Sequence, residues 1–226
     1  MIRICLLCLP LLLAAGAAYA QLYPSKVTRM DTGKVYLRLQ PIGLADLLDG
    51  NFTVGGEYRF NKTWSATLDA GFIFYSKYMG YTEKTTGILL RPGIRKYAGK
   101  YKDYFFDLQL HYKEVMYRVY DWIDRGVVNG APAYQELTTF RYRKQVYGVH
   151  LMAGGREFLT KDHRLFLEIV AGIGIHYKVT GAYHEGNSLV EDPFALVINR
   201  NNNLKTPART VMPALPLTVR VVYKLR

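Results

Sequence analysis

The sequence predicts an all-β protein, an eight-stranded antiparallel up-and-down transmembrane β-barrel, and three observations lead to this prediction. Apolar and polar residues alternate with a period of two along most of the chain, which is typical of strands with one apolar face. A secretory signal precedes these segments, and no later stretch approaches the roughly 18 consecutive apolar residues of a membrane-spanning helix. Half of the residues are hydrophobic, with 19 Tyr and 10 Phe, which suits a lipid-facing sheet bordered by aromatic residues.

The first 20 residues have the pattern of a cleavable signal peptide. Arg3 precedes a short apolar run, and Ala18-Tyr19-Ala20 matches the small-residue motif of a cleavage site. We expect cleavage before Gln21, so that residues 1–20 are the signal peptide. Residues 21–226 then form one outer-membrane β-barrel domain.

Cysteine content and net charge exclude several classes of function. Cys5 and Cys8 are the only cysteines and both lie in the signal, so the mature chain has no disulfide or thiolate chemistry. The formal charge is +12, but the export signal and the dispersion of the charges argue against nucleic acid as a partner. We expect these charges to contact outer-membrane lipid and lipopolysaccharide, or to pair inside a polar lumen.

The first three predicted strands include the clearest hairpin of the sequence. Lys34–Gln40 alternates apolar and polar residues throughout its length. Residues 52–60 and 64–74 form the second and third strands, and residues 61–63 give a turn of the length found in hairpins.

The fourth and fifth predicted strands are residues 87–97 and 104–118. Pro92 interrupts the fourth strand, and proline has no N–H to donate to a neighbouring strand. We therefore expect a β-bulge at Pro92, which would reconcile the residue with a paired strand.

The last three predicted strands are residues 139–153, 165–177 and 211–226. The connections between strands alternate in length, as periplasmic turns and external loops do in an up-and-down barrel. The short ones lie near residues 61–63, 98–103 and 154–164, and the long ones near residues 41–50, 75–86, 119–138 and 179–210.

Charges of both signs occupy the positions that face inward in this arrangement. Unpaired charges in a closed interior are costly, so we expect them to pair across the lumen. The expected lumen charge network, which also has Lys113 nearby, consists of Arg38, Glu57, Arg59, Asp69, Arg91, Arg95, Asp107, Glu168, His176 and Arg220.

No catalytic, cofactor or metal site is predicted. His184 and Ser188 are close in sequence, but a loop segment does not fix the geometry of a catalytic triad. The histidines lack paired metal-binding spacing, and those that face inward are expected to be satisfied interior residues. The five histidines are His111, His150, His163, His176 and His184.

Residues 41–65 resemble the opening hairpin of an uncharacterised family of bacterial outer-membrane β-barrels, a domain of unknown function. The likeness is carried by Pro41-Ile42-Gly43-Leu44, by Glu57-Tyr58 in the strand, and by Trp64-Ser65 after the turn. The resemblance implies a small eight-stranded barrel in the outer membrane, and it implies no activity or ligand. Barrels of this kind usually end on an aromatic residue that the barrel assembly machinery reads, whereas here Tyr223 is the near-terminal aromatic.

The expected function is that of a monomeric, non-enzymatic outer-membrane protein with no cofactor. Its role would be structural, adhesive or ligand-binding through the external loops, of which residues 179–210 form the longest. The partner of these loops stays unknown. Three alternatives remain open: a narrow gated pore for small solutes, a lipid-modifying enzyme, and a soluble lipocalin-like barrel with an apolar interior.

Overall fold

A computed structural model of the chain describes residues 34–45, 49–78, 81–99, 102–129, 131–160, 162–182 and 208–225. The predicted signal peptide, His184 and Ser188 lie outside these ranges. The described residues form strands and one short 3-10 helix, Pro41–Ala45, so the predicted all-β class is confirmed. The strands are β1 (Lys34–Gln40), β2 (Gly50–Arg59), β3 (Trp64–Tyr75), β4 (Thr82–Ala98), β5 (Tyr104–Arg125), β6 (Tyr134–Phe158), β7 (Leu165–Ala182), β8 (Ala208–Ala214) and β9 (Leu217–Lys224).

The strands form one antiparallel sheet that closes into a ring. Each strand from β1 to β7 pairs with the next, and β9 joins β7 to β1. We call the end that carries the β2–β3, β4–β5 and β6–β7 connections the turn end, and the opposite end the loop end.

The sheet has nine strands where the sequence predicted eight, because the predicted last strand is divided. β8 pairs with residues 174–180 of β7, and β9 pairs with residues 165–171 of the same strand. Leu215 and Pro216 separate β8 from β9. Pro216 has no N–H to donate, which is a physical reason for a break in the ladder at this point.

The strands differ greatly in length around the ring. β1 has 7 residues and β2 has 10, whereas β5 has 22 and β6 has 25. The prediction of a long connection at residues 119–138 was therefore wrong, since the β5–β6 ladder continues to the pair Arg125↔Tyr134. The prediction of a connection beginning at Gly154 was also wrong, because β6 continues to Phe158.

Pro92 lies within β4 without the expected bulge. Leu68 of β3 pairs with Pro92 in a continuous register. The β4–β5 pairs run from Leu90↔Tyr112 to Gly93↔Gln109 and omit only Arg91 and Pro92, so the register does not shift there. The proline thus removes ladder bonds locally while the strand stays aligned.

The two faces of the ring differ sharply in polarity. Along β5, Asp107, Gln109 and His111 are buried inside, while Leu108 and Leu110 between them are more than half exposed outside. In this middle part of β5, alternating residues therefore send polar side chains inward and apolar side chains outward. Nearer its two ends the same strand buries apolar and aromatic side chains, namely Phe105, Val115, Tyr117, Val119 and Ile123. No helix in the described ranges is both long enough and apolar enough to cross a membrane.

A charged layer and a histidine-lined cavity inside the ring

Eight charged side chains meet inside the ring near the turn end, and we call them the ion-pair layer. Each strand contributes one of them, except β8, which contributes none. The layer contains four arginines and four carboxylates, so its formal charges balance. Its members, from β1 to β7 and then β9, are Arg38, Glu57, Asp69, Arg95, Asp107, Arg156, Glu168 and Arg220.

Arg95 is the centre of the ion-pair layer. Its guanidinium contacts Asp107 at 2.6 Å, Glu168 at 2.6 Å and Glu57 at 3.0 Å. All four side chains are completely buried. Arg95 donates two charge-assisted hydrogen bonds to Asp107 and two to Glu168, a bidentate arrangement that suits the planar guanidinium.

The remaining arginines connect the layer around the ring. Arg38 donates to both carboxylate oxygens of Asp69, at 2.6 and 2.5 Å. Arg220 lies 3.3 Å from Asp107, and Arg156 lies 2.9 Å from Glu168. The sequence prediction missed Arg156, because it ended this strand at residue 153 and placed Arg156 in a connection.

The structure places all ten residues of the expected lumen network inside the ring, but in two different settings. Seven belong to the ion-pair layer, and Arg59 stacks on the Tyr97 ring with its guanidinium carbon 3.6 Å from the ring centre. Arg91 and His176 lie farther toward the loop end and line a cavity. The expected residues therefore divide between a charged layer and the cavity beyond it.

The cavity has a volume of about 560 Å³, which is within the usual size of small-molecule sites. Arg91 lines it from β4, and Thr218 lines it from β9. It is bordered toward the loop end by Asp49 and Tyr78. On the turn side it is lined by Gln109, which follows Asp107 along β5, and by Met152, which pairs with Asp107.

Asp49 is the hub of polar contacts at the loop end of the cavity. One carboxylate oxygen lies 2.6 Å from Lys113 and 2.5 Å from Lys144. The other accepts hydrogen bonds from Ser76 at 2.9 Å and Tyr117 at 2.8 Å. Since these partners come from β5, β6 and the segment after β3, the carboxylate ties the beginning of β2 to strands across the ring.

Three histidines line the cavity from neighbouring strands, and we call them the histidine cluster. They are His111 of β5, His150 of β6 and His176 of β7. The centres of the three rings lie 4.8 to 4.9 Å from one another. One ligand atom from each ring can be chosen such that all three lie within 4.8 Å of one another.

The strand register explains how the three rings meet. His111 pairs with Gly148, which in turn pairs with His176. His150 pairs with Gly174 two residues farther along the same ladder. Each histidine of β6 and β7 thus lies opposite a glycine of the other strand.

Gly148 and Gly174 leave the space that the imidazoles occupy. A Cβ at residue 148 would lie 2.5 Å from the His176 ring, and one at residue 174 would collide with the His150 ring. Both sites also lie close to carbonyl oxygens of the partner strand, so a larger residue there would displace a ring.

The hydrogen bonding of the cluster is incomplete. His150 Nε2 and His176 Nε2 lie 2.7 Å apart, so one of them donates a proton to the other. Neither ring nitrogen of His111 has a hydrogen-bonding partner among the described residues, although the side chain is buried. The expectation that these were satisfied interior histidines was therefore wrong for His111.

Comparisons with known proteins give no match to a family model, a curated protein or a solved structure. The resemblance of residues 41–65 to an outer-membrane family stays a prediction.

Proposed function

We propose that this protein is a non-enzymatic outer-membrane β-barrel, closed near its periplasmic end, with a ligand-binding cavity on the external side of that closure. The observation that carries the proposal is the polarity of the ring, which is unlike that of a soluble protein. The interior is rich in buried charged and polar side chains and the exterior carries many large apolar residues, as in a sheet whose exterior contacts lipid. A soluble protein rarely exposes an apolar surface this extensive. A lipocalin-like barrel would have the opposite polarity.

The height of the apolar exterior supports this proposal. Trp64 and Phe74 both point outward from β3, near opposite ends of the strand. Ten residues at roughly 3.3 Å rise and 40° tilt span about 25 Å, the height of an outer-membrane apolar band. Exposed aromatic residues occur near both ends of this band, as interfacial girdles do. They include Tyr58, Phe60, Tyr104 and Phe106 toward the turn end, and Tyr75, Tyr81, Tyr120 and Trp122 toward the loop end.

In this proposal β8 and β9 together act as the eighth strand of an up-and-down barrel. The ion-pair layer supports a closed rather than a conducting interior, because its eight side chains come from all sides and are mutually paired. The arrangement favours ligand binding over the alternative of a narrow pore. The turn end then faces the periplasm, and the cavity lies on the external side of the ion-pair layer. Outer-membrane lipid, lipopolysaccharide and the barrel assembly machinery are the proposed partners of a monomer.

Membrane fractionation and gel mobility test the proposal. The protein should fractionate with the outer membrane, and its unboiled form should migrate faster than its boiled form in a detergent gel. Reconstituted in a planar bilayer, the folded protein should give no steady ion conductance. A soluble periplasmic protein would contradict the membrane assignment, and steady conductance would favour the pore.

A further inference from the structure

We propose that the histidine cluster binds a divalent transition-metal ion of the zinc class. This inference rests on the proposed binding role of the cavity and names the class of its ligand. The three rings come from three strands, face one cavity, and present nitrogens within 4.8 Å of one another. Imidazole nitrogen is a preferred ligand of zinc, copper and nickel, and three histidines with one open position form a common zinc site.

The cluster must rearrange by up to about 1.5 Å to coordinate an ion, since its ligand nitrogens lie within 4.8 Å of one another. Two Zn–N bonds of about 2.05 Å at a tetrahedral angle separate the nitrogens by about 3.3 Å. The Nε2 atoms of His150 and His176 now lie 2.7 Å apart, so they must separate by about 0.6 Å. The ring that carries its proton on Nε2 must move that proton to Nδ1, which frees both Nε2 atoms for the metal.

His111 supplies the observation that favours a ligand over a purely structural role. A buried side chain normally finds hydrogen-bonding partners, and an imidazole without one loses the solvation that water would give. Both nitrogens of His111 lack partners in the described part of the chain, and its ring stacks 4.8 Å from His176. A metal ion held with His150 and His176 would satisfy one of these nitrogens.

The charged residues around the cluster affect which ligands the site can bind. Four basic residues line the same cavity, and their positive charges oppose a bare divalent cation. They are Arg91, Lys113, Lys144 and Lys178. Asp49 offsets part of this charge through its 2.6 Å contact with Lys113. An anion in the open coordination position would offset more, so we expect the site to hold the metal together with an anionic ligand.

Zinc binding by the tag-free, detergent-folded protein tests the inference. Isothermal titration and metal analysis should give one Zn²⁺ per chain. Changing His111, His150 or His176 to Ala should raise the Kd at least about tenfold. The triple variant should show no stoichiometric binding. Bound Co²⁺ should show visible absorption bands of a nitrogen-ligated site, and these bands should disappear in the same variants.

His163→Ala and His184→Ala are the matched controls. His163 contacts Phe158 in the β6–β7 turn, away from the cluster, and His184 lies outside the described residues. Both variants should bind zinc like the unaltered protein. Heat-dependent gel mobility establishes that each variant is folded. The inference is overturned if a folded, unaltered barrel takes up no stoichiometric Zn²⁺ or Co²⁺, or if binding survives the triple substitution.

The two proposals fail in distinguishable ways. A heat-modifiable membrane barrel that binds no metal would overturn the histidine site and leave the membrane assignment intact. Specific metal binding by a protein that proves to be soluble would support the histidine site and overturn the membrane assignment.

Discussion

The ion-pair layer and the histidine cluster occupy successive levels of the same interior, but the layer is held by ion pairs and the cluster is not. In the layer, four arginines face four carboxylates at contact distance, and Arg95 alone contacts three of them. In the cluster, three imidazoles face one another, and His111 has no hydrogen-bonding partner among the described residues. The layer therefore balances its charges with protein groups, although Arg38 Nε and Arg220 Nε have no hydrogen-bonding partner among the described residues. The cluster has no such charge balance, and among the described residues neither nitrogen of His111 has a partner.

Replacing Arg95 should have the largest effect, because it breaks the layer at its centre. Arg95→Ala leaves Asp107, Glu168 and Glu57 buried without their principal cation. Removing one partner of a buried ion pair typically costs about 3–5 kcal/mol, so the free energy of unfolding should fall by that amount. Urea unfolding in lipid vesicles, followed by tryptophan fluorescence, measures it.

Arg164→Ala is the control for Arg95→Ala. Arg164 lies about half exposed in the β6–β7 turn and contacts Asp162 at 3.7 Å. Removing this side chain should leave the free energy of unfolding nearly unchanged. If Arg95→Ala also leaves unfolding unchanged, the ion-pair layer is not held together through Arg95.

Asp49→Asn should have the next largest effect, at the other end of the cavity. The amide keeps an acceptor for Ser76 and Tyr117 but loses the charge that faces Lys113 and Lys144. Hydrogen bonds to charged groups contribute about 1.5–3 kcal/mol, so the free energy of unfolding should fall by about 2 kcal/mol.

Ionic strength supplies a further check on Asp49, since buried pairs are screened less than exposed ones. The loss caused by Asp49→Asn should persist in high salt. Asp124→Asn, which alters an exposed carboxylate bonded to Gln135, should not change stability. Equal effects of the two substitutions would contradict the role of Asp49 as a hub.

Gly148→Ala should weaken metal binding while the three histidines remain in the sequence. The new Cβ would lie 2.5 Å from the His176 ring and 2.9 Å from the carbonyl oxygen of Ile175, so the ring must move. We expect a rise in the zinc Kd of about tenfold, equivalent to about 1.4 kcal/mol.

Gly155→Ala is the matched control on the same strand. Its Cβ would approach only the Tyr104 ring, at 3.7 Å, which is an ordinary contact. Zinc affinity should therefore stay the same in Gly155→Ala. Equal Kd values for the two alanine variants would mean that the position of the His176 ring does not limit binding.

The sequence predicted the ion-pair layer better than it predicted the histidine cluster. Period-two alternation is local, so it assigned an inward side to residues such as Glu57, Asp69 and Arg95 before any pairing was known. Which charges meet depends on register, and a slip of one residue reverses the side of every residue in a strand. The histidine cluster depends on two registers at once, those of β5–β6 and β6–β7.

A sequence signal for the cluster nevertheless exists. Gly148-Val149-His150 and Gly174-Ile175-His176 are Gly-x-His segments on adjacent antiparallel strands, so each glycine can face the histidine of the other. The sequence prediction treated the histidines as scattered residues, so it did not relate the two Gly-x-His segments to each other. The extension of β5 and β6 was also missed, because the predicted fifth strand ended near Arg118. The alternation nevertheless continues, since Val119 and Ile123 are both buried.

The smallest expected effect comes from an ion pair outside the ring interior. Arg118 and Glu83 lie 3.3 Å apart with side chains 63% and 47% exposed. Exposed pairs contribute about 0–1 kcal/mol, so a double-mutant cycle with Arg118→Ala and Glu83→Ala should give a coupling energy in that range, reduced further by salt. The same cycle for Arg95 and Glu168 should give a larger coupling that salt changes little. If both cycles give similar couplings, burial is not what distinguishes the ion-pair layer, and its pairs act as ordinary surface contacts do.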